Sequence, residues 1–98
     1  MFNSGFYVTA ELKIKDRNKI LEARIALEAL CKSTLQQEAQ CTLFQLHQCQ
    51  QDHTRLILWE RFDSEQAYLA HFKQRHTLEY LSKELTEVLQ HFITDIVV

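Results

Sequence analysis

The segment Leu56-Ile57-Leu58-Trp59-Glu60-Arg61-Phe62 constrains the fold more than any other part of the chain. It is rich in branched and aromatic residues and too short for an ordinary helix, so it reads as a strand. Alternation puts Leu56, Leu58, Glu60 and Phe62 on one face, and Ile57, Trp59 and Arg61 on the other. Neither face is cleanly polar. Such a strand needs cover from both directions, and one layer of helices supplies only one.

The rest of the chain provides that layer. Phe6–Ile14 alternates as a strand, with Phe6, Val8, Ala10, Leu12 and Ile14 on one side and Tyr7, Thr9, Glu11 and Lys13 on the other. Asp16-Arg17-Asn18 supplies turn and cap residues, and Ile20, Ala23, Leu27, Leu30 and Cys31 predict a helix from about Asn18 to Gln37. Gln36–Gln40 is polar and breaks that pattern, and Cys41–Gln48 returns to a strand that forms a hairpin with Leu56–Phe62. Asp63 and Ser64 cap a short helix over Glu65–Lys73, followed by a break at His76. Leu78, Leu81, Leu85, Val88, Leu89 and Phe92 then predict a second long helix, and the β-branched run Ile93–Val98 a closing strand.

The resulting order is β-α-β-β-α-β with the second helix split. This is the α+β, ferredoxin-like arrangement of a four-stranded antiparallel sheet with helices on one face. The sheet face carrying Ile57 and Trp59 is left uncovered, and pairing with a second copy through a two-fold axis is the simplest way to bury it. A homodimer is therefore expected. At 98 residues, 46% of them hydrophobic and 24% charged, the chain suits one domain over residues 1–98. A net charge of -2 gives no electrostatic reason to bind nucleic acid or an anionic membrane. No apolar run reaches the roughly 20 residues of a membrane span, and no secretory signal is visible. Cys31, Cys41 and Cys49 match no zinc spacing and read as reduced thiols, hence a cytoplasmic protein.

Three residues stand out chemically. Glu60 is a carboxylate flanked by Leu58 and Phe62; on the helix side it is desolvated with a raised pKa, or else it forms a structural ion pair or is a strand-end residue turned to water. His71 and His76, five apart, share no face of a continuous helix and converge only if the helix breaks between them. They read as a proton shuttle at the mouth of a pocket, or one of them caps the break. His-x4-His is not the spacing of helix-borne zinc ligands, and no Cys or carboxylate sits at a supporting spacing, so no metal is expected. Tyr80 either presents its hydroxyl to the same pocket or is buried against backbone, while His47, His53 and His91 look like edge or surface residues.

The run Glu60-x-Phe62-x-Ser64-x2-Ala67-x3-His71-x4-His76-x3-Tyr80 resembles the signature of the antibiotic biosynthesis monooxygenase family. Val8-Thr9-Ala10-Glu11 is similar to that family's first strand, and Glu38-Ala39-Gln40-Cys41 sits where members commonly have Glu-Pro-Gly-Cys. The resemblance covers essentially the whole chain and implies a dimeric α/β barrel with a pocket in each subunit. It departs from the pattern at Gln40, where glycine is usual, and at Arg75, where proline is usual. The Asn, Trp and His of the haem-degrading members fall on Ala10, Phe62 and Leu81, so haem degradation is not expected.

Among the activities the resemblance implies, the leading one is cofactor-independent monooxygenation of a small aromatic such as a quinol or polyphenol. His71 or His76 is the base, Glu60 orients it, Tyr80 is a donor, and Leu58, Phe62 and Phe72 are apolar walls. The alternatives are an isomerase of a small phosphorylated metabolite, using Arg61, Lys73 or Arg75 as its cation, and a non-catalytic dimer that binds a small molecule.

Overall fold

The computed structural model describes residues 4–97. Four strands, β1 (Phe6–Ile14), β2 (Cys41–Gln48), β3 (Arg55–Phe62) and β4 (Thr86–Thr94), form one antiparallel sheet in the order β2-β3-β1-β4. Three helices, α1 (Ile20–Gln37), α2 (Glu65–His71) and α3 (Arg75–Ser82), complete the ferredoxin-like fold. The apolar faces of β1 and β3 point the same way, because Val8 is opposite Glu60, Ala10 opposite Leu58 and Leu12 opposite Leu56. All six are buried.

Side-chain caps mark the approach to α1 and the start of α2. The Asp16 side chain accepts a bond from the Asn18 amide at 2.9 Å, and a single 3-10 turn at Arg17–Lys19 leads into α1. That helix buries Ala23, Leu27, Leu30 and Thr34, one stripe at helical spacing, against the sheet. Ser64 caps α2 by accepting from the Ala67 amide at 3.1 Å. The break expected at His76 falls earlier: α2 ends at His71, Gln74 is extended, and His76 is already the second residue of α3.

The long final helix expected through Phe92 does not form. Helix α3 stops at Ser82, and Glu84 turns the chain in the left-handed region at φ 50°. The strand then begins at Thr86, not at Ile93 as the β-branched run suggested. The physical cause is a bulge. Leu12 pairs with Val88 but Ala10 pairs with His91, so β4 spends three residues where β1 spends two. That irregularity hides the two-residue alternation, and Leu85, Val88, Leu89 and Phe92 then mimic a helical stripe. Val98, included in the expected closing strand, lies outside the described residues.

The second sheet face is open, as the pattern of β3 required. Trp59 is 47% exposed and stacks on His47 with ring centroids 4.3 Å apart. Thr9 lies between Trp59 and Phe92 in register, so a band with Trp59 and Phe92 crosses three strands of a face that no helix among the described residues covers. Arg61 lies on the same face. Its guanidinium covers Gly5 so closely that a Cβ there would come within 2.6 Å of Nε, and it donates to Thr42 and Asp63 at 2.8 Å each.

Glu84 holds a left-handed conformation that costs an L-residue about 1 kcal/mol or more and glycine almost nothing. Glu84→Gly is therefore expected to stabilise the fold by about 1 kcal/mol, raising the denaturant midpoint without changing the slope. An unchanged or lower midpoint counts against this account of the α3–β4 turn.

Candidate active site

The site is assembled where three helix ends meet. Glu38 is the residue at which α1 stops; its extended backbone (φ -107°) turns the side chain inward while its amide still bonds to the Thr34 carbonyl. His71 is the last residue of α2, and His76 enters at the first turn of α3. One atom joins them. Glu38 Oε2 accepts from His71 Nδ1 at 2.8 Å and from His76 Nε2 at 2.6 Å. Two imidazoles thus share one carboxylate oxygen, and the helix break lets residues five apart reach it.

His71 is 3% exposed, with its ring among those of Phe44, Phe62 and Phe72 at centroid distances of 5.1–5.5 Å. Burial pulls its pKa below the usual histidine value, and the charge of His76 adds to that, while the Glu38 bond opposes both. The imidazole is therefore neutral near pH 7. With Nδ1–H donated to Glu38, the lone pair sits on Nε2, at the opposite side of the ring.

Beside this ring lies a cavity of about 140 Å³ between the helices and the sheet. Leu27, Leu30, Phe44 and Leu58 supply apolar wall, and Glu60, His71, Thr77 and Tyr80 supply polar groups. Phe72, Leu81, Val88 and His91 line its exposed side. An apolar cavity of about 150 Å³ holds one benzene ring, so the space suits a single aromatic ring. A larger, shallower groove of about 340 Å³ runs between α1 and α3, and His76 lines that groove and not the cavity.

Glu60 is 6% exposed and makes no side-chain hydrogen bond or ion pair among the described residues. Burial, with the negative charge of Glu38 as a second cause, pushes its pKa up to about 8. At neutral pH it is a carboxylic acid, able to donate a proton or a hydrogen bond into the cavity. Tyr80 bonds through its hydroxyl to Thr86 Oγ1, not to backbone, and burial raises its pKa.

The expected site residues thus divide. Leu58, Glu60, His71, Phe72 and Tyr80 all face the cavity. His76 stands behind Glu38, in contact with the cavity only through His71. Phe62 is fully buried beneath His71 and Tyr68, so it is a floor for the imidazole and not a cavity wall. The group that orients His71 is Glu38, 33 residues upstream, and not Glu60. In the sequence Glu38 lies in a polar run after a helix, which hides its role; its place in the Glu-Pro-Gly-Cys-like segment is the one sign of it. His91, expected at the surface, is exposed and also borders the cavity, which only the β4 bulge makes possible. Glu38, His71 and His76 are also the one three-member group of potential metal donors among the described residues, with their ligating atoms within 4.8 Å of one another.

The chain is similar to known proteins over most of its length. Residues 5–83 match the family model for antibiotic biosynthesis monooxygenase. The uncharacterized protein YjcS of Bacillus subtilis is 35% identical over 88 residues, covering 87% of this chain and 80% of that protein. A solved structure of YjcS superposes with a TM-score of 0.86 at 29% identity, covering 96% of this chain and all of the other. A Bacteroides thetaiotaomicron protein of unknown function, described as a possible oxidoreductase, shares the fold with a TM-score of 0.82 at 18% identity, covering 96% and 99% of the two chains.

The protonation of Glu60 has a measurable consequence. Its folded-state pKa lies above the ordinary carboxyl value, so its contribution to stability is present below about pH 4.5 and is lost as pH rises through about 8. Glu60→Gln, neutral throughout, is expected to match the parent near pH 5 and to exceed it by a few kcal/mol near pH 9, at about 1.4 kcal/mol per unit. Urea titrations at the two pH values check this; a pH-independent difference contradicts a buried neutral Glu60.

Proposed function

The chain belongs to the antibiotic biosynthesis monooxygenase family, and from that premise we propose that it oxygenates a small, single-ring, electron-rich phenol or quinol without a cofactor. The observation that carries the reading is the Glu38–His71 bond beside a cavity the size of one ring. The bond holds His71 in the tautomer with its lone pair on Nε2, the arrangement required of a general base. His76 acts through Glu38, holding the carboxylate in place, and does not touch the substrate.

The chemistry needs few groups. His71 Nε2 takes the phenolic proton. The phenolate gives one electron to dioxygen, and the phenoxyl radical and superoxide combine at a ring carbon. The resulting peroxide takes a proton back from the imidazolium. The O–O bond breaks as the ring carbon loses its hydrogen, leaving a carbonyl and releasing water. The sum is phenol plus dioxygen to quinone plus water, with all four electrons from the substrate. Neutral Glu60, facing the cavity, is placed to donate to the peroxide, and the apolar walls Leu58 and Phe72 exclude water that would quench the radical pair.

An isomerase of a phosphorylated metabolite is less well supported. No Lys or Arg lines the cavity among the described residues. Arg61 lies on the open sheet face bound to Asp63, and Arg75 pairs with Glu79 at the surface. The reading also includes a homodimer closed through the Trp59 and Phe92 band, supported by an apolar sheet face that no helix of the same chain covers.

Oxygen uptake with a panel of simple quinols is expected to be metal-independent. His71→Ala should lower turnover about a hundredfold or more, and Glu38→Gln at least about tenfold. A folded His71→Ala variant with the parental rate rules out this base. For the assembly, sedimentation velocity is expected to give a dimer, and Trp59→Glu a folded monomer; a parent that sediments as a monomer contradicts the sheet-face interface.

A further inference from the structure

Glu38, His71 and His76 come from three different elements, the end of α1, the end of α2 and the start of α3, and converge on one buried point. His71 Nδ1 and His76 Nε2 both lie within hydrogen-bond distance of the same atom, Glu38 Oε2. A carboxylate oxygen with two imidazole nitrogens against it carries two protons in those contacts. A divalent cation takes the place of the two protons, each imidazole moving its proton to its far ring nitrogen or releasing it to solvent, and finds a two-nitrogen, one-oxygen donor set already gathered. Donors about 2.0–2.1 Å from a common metal stand roughly 3 Å or more apart, so the contacts of 2.6 and 2.8 Å must widen by about half an ångström. Rotation of the Glu38 side chain would widen them, while the two imidazole nitrogens, within 4.8 Å of each other, would close on the same ion. His76 borders the groove between α1 and α3, which gives an ion a route from solvent that does not cross the catalytic cavity. The Thr77 hydroxyl, 3.4 Å from His71 Nδ1, offers a further oxygen.

We infer that Glu38, His71 and His76 form a binding site for a borderline divalent cation of the zinc or cobalt type, entered from the α1–α3 groove. Mixed imidazole and carboxylate donors favour such ions over calcium or magnesium, which take all-oxygen cages. The ion competes with the proposed reaction and does not take part in it. A metal on Nδ1 leaves a neutral His71 imidazole with its one proton on Nε2, so the nitrogen assigned to the base in the proposed reaction has no lone pair. Occupancy therefore switches the base off. That second statement rests on His71 being the base; the binding statement does not.

The two are separated by measuring binding without turnover. Chelator-treated protein titrated with Co²⁺ is expected to take up one ion per chain and to develop visible d–d bands without a thiolate-to-metal band. Zn²⁺ should displace it and raise the thermal midpoint. Glu38→Gln and His76→Gln, checked for folding by circular dichroism, should each weaken Co²⁺ binding at least about tenfold. The proposal is overturned if the parent shows no saturable uptake, or if both folded variants bind as the parent does. It is equally overturned if a thiolate band appears and alkylation of Cys31, Cys41 and Cys49 abolishes uptake. If a quinol is turned over, Zn²⁺ should inhibit it reversibly in the parent and a chelator should restore it; Zn²⁺ binding with unchanged turnover keeps the site but removes His71 as the base.

Discussion

The structure turns on one oxygen atom. Glu38 Oε2 is the only point at which the end of α1, the end of α2 and the start of α3 are joined by side-chain hydrogen bonds among the described residues. Hydrogen bonds to a charged acceptor contribute about 1.5–3 kcal/mol each, and more when loss of one partner strands the others in an apolar interior. The other support of the broken helix is packing, through Ala67, Tyr68 and Tyr80 on the core, since α2 and α3 have only seven and eight residues, well short of what is stable alone. The Glu38 contact also fixes the tautomer of His71. One interaction therefore sets both the shape of the helical layer and the chemistry available beneath it.

The sheet imposes the complementary constraint. A strand with Leu58 and Glu60 on one side and Trp59 on the other cannot be satisfied by one layer of helices. Above β3 the short helices leave a ring-sized space instead of close packing, and Glu60 faces that space without a charged partner. A buried acid that must stay protonated weakens the fold at high pH. Such a residue is retained at a cost to stability, which is common where a site needs a proton donor that water cannot reach.

Much of this was legible in the residues, and the failures have identifiable physical causes. Strands β1 and β3 announce themselves by alternation, β2 by Phe44 and Leu46 two apart despite an irregularity between Cys41 and Leu43, and α1 by the spacing of Ala23, Leu27 and Leu30. Strand β4 did not, because three residues of β4 against two of β1 shift Val88 and His91 out of alternation onto one face. A bulge is a property of two strands together and leaves no trace in one. Glu38 was obscured for a related reason: its importance lies in contacts 33 and 38 residues away. The convergence of His71 and His76 could be anticipated from the break in helical phase, although the atom they converge on could not. Phe62 shows the limit of face assignment. It points toward the helices as expected, yet its depth under Tyr68 and His71, which sequence does not encode locally, makes it floor instead of wall.

The central claim is that Glu38 holds a neutral His71 with its proton on Nδ1 and its lone pair on Nε2. Nitrogen-15 NMR of the imidazole side chains reads this directly, because protonated and unprotonated ring nitrogens differ widely in shift. The account predicts that near pH 7 the His71 Nδ1 signal is that of a protonated nitrogen and the Nε2 signal that of a bare one, and that Glu38→Gln blurs the distinction. A neutral His71 carrying its proton on Nε2, or an imidazolium at that pH, would contradict it.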